Sequence, residues 1–344
     1  MKKIYLELTN KCNLNCVICY RKAWHEATFD MKDHYLDKCI KEINESEEIT
    51  EVVLGGIGEP TFADSIERVI EELKDKKITI TTNGTLLSES LLESMVDNVD
   101  HIVISVDGDS EVFNKIRNFP LQTILDNVKR IQLLKEANNK KTPKMSFQMV
   151  LTSETVSEIM SVLRFAHEYK VDQVILSNII PSFKEDEGLV AYKMYEREPL
   201  KSLFLEATKY ALMKRIELKL PEIILKTERR CRFVEDETMV VTAEGNVAPC
   251  YRLAHNGEEL VFGREKIIEA HYFGHIEKQT LKEIWDTPEY SRYRHVVLNN
   301  LFPSCMDCDL VDGCDMARHA ETDCYGNTPT CADCLWSRKI VYCI

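Results

Sequence analysis

From residue 1 to about residue 180, short runs rich in β-branched residues alternate with longer stretches in which apolar residues recur every three or four positions. The short runs fall at 4–8, 51–54, 78–82, 101–106, 146–151 and 173–177, and the stretches between them include 65–73, 88–95, 124–135 and 156–169. A period near 3.6 marks a helix with one buried face, and a short β-branched run marks a strand, so each pair reads as one βα unit. Six such units in succession predict a parallel sheet, because each helix returns the chain to the same end. Right-handed crossovers would curl that sheet into an α/β fold, a partial (β/α)6 TIM-like barrel with helices outside and ligand groups on the loops at the strand C-termini.

The first of those loops carries Cys12, Cys16 and Cys19 in LTNKCNLNCVICY. Iron–sulfur cubanes are normally held by four thiolates. Three on one loop would leave one iron open to a ligand that is not protein. The bland alternative is zinc or a disulfide. Zinc sites favour paired C-x-x-C units with two further ligands close by, and the nearest here are His25 and His34. The chain has thirteen cysteines and reads as lacking an export signal, so ligation is a more natural use for them than disulfides. Cys39 shares a helical pattern with Leu36, Ile40 and Ile43 and reads as a small buried hydrophobe. Cys343 has no assigned part.

A net charge of −13 opposes nucleic acid and anionic membrane surfaces, and no apolar run nears the length needed to span a bilayer. The expected setting is cytoplasmic, with a small molecule, peptide or protein as partner. At 344 residues the chain suggests one large unit and a smaller one. Pro181 and the acidic stretch 184–188 interrupt the alternation, a helix follows at 200–215, and a cysteine-rich segment then replaces regular periodicity. The expected division is a barrel at 1–185, a helical linker at 186–228 and a cysteine-rich domain at 229–344, held by metal clusters rather than by an apolar core.

Three further motifs fall at the expected barrel mouth. Gly55-Gly56-Ile57-Gly58-Glu59-Pro60 follows the second strand in a tight turn that brings backbone close to a ligand. Thr82-Asn83-Gly84 ends the third strand and Ser105-Val106-Asp107-Gly108 the fourth, although Asn-Gly and Asp-Gly also serve as plain turn formers. Together with C-x3-C-x2-C after the first strand, this arrangement resembles the radical SAM superfamily. The resemblance implies that S-adenosylmethionine chelates the fourth iron of a [4Fe–4S] cluster and is cleaved reductively to a 5′-deoxyadenosyl radical. It implies that Gly58, Glu59 and Pro60 grip the methionyl amino group, in a segment one residue longer than the usual G-G-E-P. It also implies cofactor contacts from Asn83, from Ser105 and Asp107 to the ribose and carboxylate, from Arg117 to the carboxylate, and from Ile18 to the adenine.

In the last third stand Cys231, Cys250, Cys305, Cys308, Cys314, Cys324, Cys331 and Cys334. Eight thiolates suffice for two fully ligated four-iron clusters. Zinc is the alternative, since C-x-x-C at 305–308 and 331–334 has ribbon spacing. The spacing resembles the SPASM extension of radical SAM enzymes, with Cys231, Gly245 and Cys250 in its first element and Cys305, Cys308 and Cys314 in its second. The ligand expected four residues later is replaced by Arg318, and Cys324 is expected to substitute. The resemblance implies two auxiliary iron–sulfur clusters, of [4Fe–4S] type. One would use Cys305, Cys308 and Cys314 with Cys331 or Cys334, and the other Cys231, Cys250 and Cys324 with the remaining cysteine. Over nearly its full length, through segments such as CRFVEDETMVVTAEGNVAPCYRLAHNGEELVFGREK and DCYGNTPTCADCLWSRKIVYC, the chain is similar to the radical SAM maturases associated with tungsten oxidoreductases of the aldehyde:ferredoxin type.

The expected activity is therefore an anaerobic oxidoreductase or maturase that modifies a tungsten-containing oxidoreductase, its cofactor or an associated peptide, served by a low-potential electron donor. A peptide maturase forming thioether or carbon–carbon crosslinks is the second reading, and an iron–sulfur or zinc carrier scaffold without catalysis is the third. Sulfatase maturases carry an Asp after the G-x4-C cysteine, where this chain has Tyr251. Tyr251 is the catalytic candidate. Arg252, His255 and His319 are nearby groups able to move protons, with structural roles as the alternative.

Overall fold

The computed structural model describes residues 1–24, 26–195 and 200–342; His25 and Cys343 lie outside the described residues. The barrel half runs β1 (Lys3–Leu6), α1 (Asp33–Glu45), β2 (Glu51–Leu54), α2 (Ile66–Glu72), β3 (Lys77–Thr82), α3 (Glu89–Asn98) and β4 (His101–Ser105). It continues through α4 (Ser110–Arg117), α5 (Leu121–Ala137), β5 (Lys144–Leu151), α6 (Ile159–Glu168) and β6 (Gln173–Asn178). All six strands lie in sequence order as parallel neighbours, as the alternation predicts. Val52, Val53 and Leu54 are fully buried, the signature of a strand covered on both faces.

The helices follow from local chemistry. In α1, Tyr35, Leu36, Cys39, Ile40 and Ile43 form the buried stripe, and Cys39 fills the apolar position expected of it. Ser88 caps α3 by accepting from Leu91 N–H, and Asp109 caps α4 by accepting from the N–H groups of Glu111 and Val112. Helix α4 ends at Asn118 in the left-handed conformation, φ 51°, which Asn tolerates better than most residues.

The sheet does not stop at six strands. Helix α7 (Leu200–Lys214) leads to β7 (Glu217–Lys219), which pairs parallel with β6. After α8 (Arg232–Glu235), β8 (Thr238–Val241) pairs parallel with the other edge of β1. Next, β9 (Asn246–Ala248) adds antiparallel to β8, the hairpin β10 (Gly257–Val261) and β11 (Arg264–Ile268) stands apart, and β12 (Gly274–His275) adds to β9. The result is one ten-stranded sheet, ordered β12-β9-β8-β1-β2-β3-β4-β5-β6-β7, that crosses both boundaries expected at 185 and 229. Helices α9 (Leu281–Trp285) and α10 (Pro288–Leu298) close the regular structure, and short turns carry the rest of the chain. Among the described residues no helix is long and apolar enough to cross a membrane.

Candidate functional site

The C-terminal ends of the barrel strands surround a cavity of about 330 Å³. Cys12, Cys16 and Cys19 line it from the loop after β1, Gly56, Gly58 and Glu59 from the turn after β2, and Asn83 from the end of β3. Ser105, Arg117, Ile18 and Tyr251 are also in its wall, while Pro60 and Asp107 are not. The cysteine loop is held from below: Asn10 donates from Nδ2 to Ala27 O (3.0 Å) and accepts at Oδ1 from Phe29 N (2.7 Å), and Val17 N donates to Ile116 O (2.8 Å).

Glu59 fixes the turn to β3. Its Oε1 accepts from Thr61 N (3.1 Å), Thr61 Oγ1 (2.7 Å) and Thr82 Oγ1 (2.7 Å), and its Oε2 from Asn83 N (2.6 Å). Burial raises its pKa, and these four bonds oppose the rise by favouring the carboxylate. The adjacent glycine is sterically required, since a Cβ on Gly58 would lie 2.3 Å from Thr9 O and 2.5 Å from Lys11 O. The turn thus sits directly on the cysteine loop.

Opposite, Arg117 Nε donates to Asp107 Oδ2 (2.6 Å), and Asp107 Oδ1 accepts from Val150 N (2.8 Å). Asp107 is completely buried. It stands behind Arg117, not in the cavity, and departs from the direct cofactor contact expected of it. Burial opposes the charge on Arg117, but Asp107 and the neighbouring Cys16 outweigh it and keep the guanidinium cationic.

The three thiols and their surroundings fit a four-iron cluster with one position left to a small ligand. They converge on one cavity, and N–H donors face two of their sulfurs: Leu14 N at 3.5 Å and Asn83 Nδ2 at 3.9 Å from Cys12 Sγ, and Arg117 Nη1 at 3.9 Å from Cys16 Sγ. Such donors stabilise thiolate-bound iron. Burial raises the pKa of Cys12 and Cys16 above that of a free thiol.

The C-terminal cysteines form two groups. Cys231, Cys250, Cys331 and Cys334 lie within electrostatic reach of one another, and Tyr293 Oη meets Cys331 Sγ at 3.3 Å. Cys305 is coupled in the same way to Cys314 and Cys324, and Cys308 N reaches Cys305 O on a shared turn. The expected partition placed Cys324 with Cys231 and Cys250, whereas here it stands near Cys305. The turn at 331–334 lends its backbone to one group, Ala332 O accepting from Cys305 N (3.1 Å), and its thiols to the other. Spacing along the chain does not reveal such a division. The twelve described cysteines are free thiols, and among the described residues no three His, Cys, Asp or Glu side chains are set as ligands of one ion.

Some residues of the site carried no sequence signal. Trp336, Val341 and Tyr342 line the cavity from the C-terminal segment, the only hint being that Trp336 lies two residues after Cys334. Glu7, at the end of β1, accepts from Ile57 N (3.0 Å) and Ala243 N (3.2 Å) and meets His255 Nε2 at 3.1 Å. His255 Nδ1 meets Glu26 Oε2 at 2.7 Å, and its ring stacks on Trp24 at 4.1 Å. His255 is therefore a structural clamp beneath the glycine turn, while His319 pairs with Glu269 (2.7 Å) away from the cavity.

Residues 6–166 match the radical SAM superfamily, and residues 231–309 match the SPASM iron–sulfur cluster-binding domain. The chain is 32% identical over 349 residues to the tungsten-containing aldehyde ferredoxin oxidoreductase cofactor-modifying protein of Pyrococcus furiosus, covering all of this chain and 97% of that protein. Among solved structures, Streptococcus suis SuiB bound to S-adenosylmethionine superposes with a TM-score of 0.62 at 18% identity, covering 91% of this chain and 72% of that one. The structure of anSMEcpe with bound AdoMet gives 0.60 at 19% identity, covering 90% and 87%. These two likenesses bear out the expected partial-barrel fold. The chain is an enzyme of the radical SAM superfamily, using S-adenosylmethionine, a [4Fe–4S] cluster and auxiliary SPASM iron–sulfur clusters, and it belongs to the family of the Pyrococcus furiosus cofactor-modifying protein.

Proposed function

We propose that Cys12, Cys16 and Cys19 hold the cluster that binds S-adenosylmethionine, and that the enzyme modifies a tungsten-containing oxidoreductase, its cofactor or a peptide associated with it. The observation that carries the site is that three thiols, a glycine turn locked by Glu59 and the Arg117 guanidinium open onto one cavity. The full-length likeness to the Pyrococcus furiosus protein supports the client.

With cluster and S-adenosylmethionine bound, the available chemistry is reductive cleavage of the sulfonium and hydrogen abstraction from the client by the resulting 5′-deoxyadenosyl radical. The protein's part is binding and aim. Backbone at Gly58 and Glu59 would take the amino group, with Pro60 outside the cavity wall and Asn83 supporting both the turn and Cys12. Arg117, oriented by Asp107, would take the carboxylate as a fixed cation. Ser105 would hold the ribose, and Ile18 would close the adenine side against water. Tyr251 is the catalytic residue of this reading: its hydroxyl, beside Gly55 at the cavity wall, would donate or accept the proton that accompanies client oxidation.

We assign Cys231, Cys250, Cys331 and Cys334 to one auxiliary cluster and Cys305, Cys308, Cys314 and Cys324 to the other. The test is iron, sulfide and 5′-deoxyadenosine on anaerobically reconstituted wild type and a Cys12/Cys16/Cys19→Ala triple variant. About twelve irons in the wild type, falling by about four with loss of deoxyadenosine in the variant, is the expected result. Bound zinc, or no deoxyadenosine from fully loaded protein, would favour the carrier scaffold. Deoxyadenosine formation stimulated by the tungsten oxidoreductase, against none with short peptides, separates the leading client from a crosslinked peptide.

A further inference from the structure

A continuous chain of paired side chains links segments that lie next to all three cysteine groups in the sequence. It begins beside Cys19, where Tyr20 Oη donates to Glu259 Oε1 (2.6 Å). Glu259 Oε2 accepts from Arg252 Nε (2.9 Å), and Arg252 Nη2 donates to Asp333 Oδ1 (3.2 Å). Asp333 Oδ2 pairs with Lys266 Nζ (2.8 Å), which also donates to Ala317 O (3.1 Å), three residues after Cys314. Arg252, Glu259, Lys266 and Asp333 are each at most 3% exposed.

Stability alone is a poor reason for this chain. Buried ion pairs seldom outperform apolar residues of similar size, because two charges must leave water. Their placement gives a better reason. Arg252 lies on the turn that Cys250 begins, its partner Asp333 stands inside the Cys331–Cys334 turn whose Ala332 O accepts from Cys305 N (3.1 Å), and Lys266 is tied to Ala317 O beyond Cys314. One-electron reduction adds one negative charge to an iron–sulfur cluster. A fixed buried cation beside it favours the reduced form, and a fixed anion disfavours it.

We propose that the Arg252–Asp333–Lys266 chain sets the reduction potentials of the two auxiliary clusters, Arg252 raising that of the cluster on Cys231, Cys250, Cys331 and Cys334, Lys266 raising that of its neighbour, and Asp333 lowering both. The three act as positioning residues through the clusters, and the proposal rests on the ligand groups given above. Because Asp333 is bonded to both cations, the two potentials are set together.

The test is a redox titration followed by electron paramagnetic resonance on the reconstituted full chain, with iron content measured in parallel. Arg252→Gln should move the first cluster to more negative potential, Lys266→Gln the second, and Asp333→Asn should move both to more positive potential. Arg252→Lys, which keeps the charge, should stay near the wild type. Opposite signs for cation and anion removal are what packing damage alone would not produce. Fully loaded variants with unchanged potentials, or shifts of one sign throughout, would overturn the proposal. Should Arg252→Gln fail to load, Asp333→Asn and Lys266→Gln decide by the same signs. A wild type that fails to load two auxiliary clusters overturns the ligand assignment instead.

Discussion

Arg117 and Asp107 meet at 2.6 Å in the interior, and the second carboxylate oxygen of Asp107 is already taken by Val150 N–H. The pair is a hinge between strands: Asp107 follows β4, Val150 lies in β5, and Arg117 ends α4 with its other nitrogen toward Cys16. Asp107→Asn would leave a buried guanidinium without its counter-charge, a loss of about 3–5 kcal/mol. Chemical denaturation should show that loss, and calorimetry should show S-adenosylmethionine affinity falling with it. Unchanged affinity would separate Arg117 from the cofactor.

Glu59 offers a second perturbation, at the turn. Glu59→Ala removes the acceptor for Thr61, Thr82 and Asn83 and leaves those buried donors without it, which costs about 1–3 kcal/mol for each donor left unsatisfied. Binding of S-adenosylmethionine should weaken at least tenfold while iron content at the cysteine loop is retained. Wild-type affinity in Glu59→Ala would show that the turn holds its shape without this carboxylate.

The cysteine groups make opposite predictions for two neighbours in sequence. Cys324→Ala should abolish the signal of the cluster on Cys305, Cys308 and Cys314 and spare the other, whereas Cys331→Ala should do the reverse. Mössbauer or paramagnetic resonance spectra of the two variants decide this, and loss of the Cys231–Cys250 cluster in Cys324→Ala would restore the partition that the resemblance implies.

His255 makes stability depend on pH. Burial works against its protonation, but Glu26 and Glu7 raise its pKa from 6.5 to about 9. A folded-state pKa above the unfolded one means that the contribution is complete below about pH 6.5 and is lost as pH rises through about 9. The amount is on the order of 3 kcal/mol. Unfolding midpoints measured from pH 6 to 10 should fall across that window and fall much less in His255→Gln.

The barrel was legible because its signals are local. Each apolar strand and its following helix announce themselves within a few residues, and Cys12, Cys16, Cys19 and Gly58 lie on loops whose place follows from the strand count. The clamp of Glu7 and Glu26 on His255 was not legible, because a buried carboxylate gives no periodic signal and Glu7 lies 248 residues from its partner. Strands β8, β9 and β12 were hidden for a related reason: two to four residues are too few to establish a period. Asp107 was expected to contact the cofactor because the resemblance points to the end of the fourth strand; that Arg117, itself a named candidate, would pair with it and take its place in the cavity wall was not legible.

The register of β8 against β1 pairs Lys3 with Thr238, so the strand made first is completed by one made more than two hundred residues later. On a ribosome, the nascent barrel would carry an open hydrogen-bonding edge through most of its synthesis, the kind of edge that recruits foreign strands. Contacts of such long sequence separation also form slowly. The order of biogenesis follows: Glu7, which leads from β1 towards the cysteine loop, meets Ala243 N–H and His255 only once that later segment has emerged.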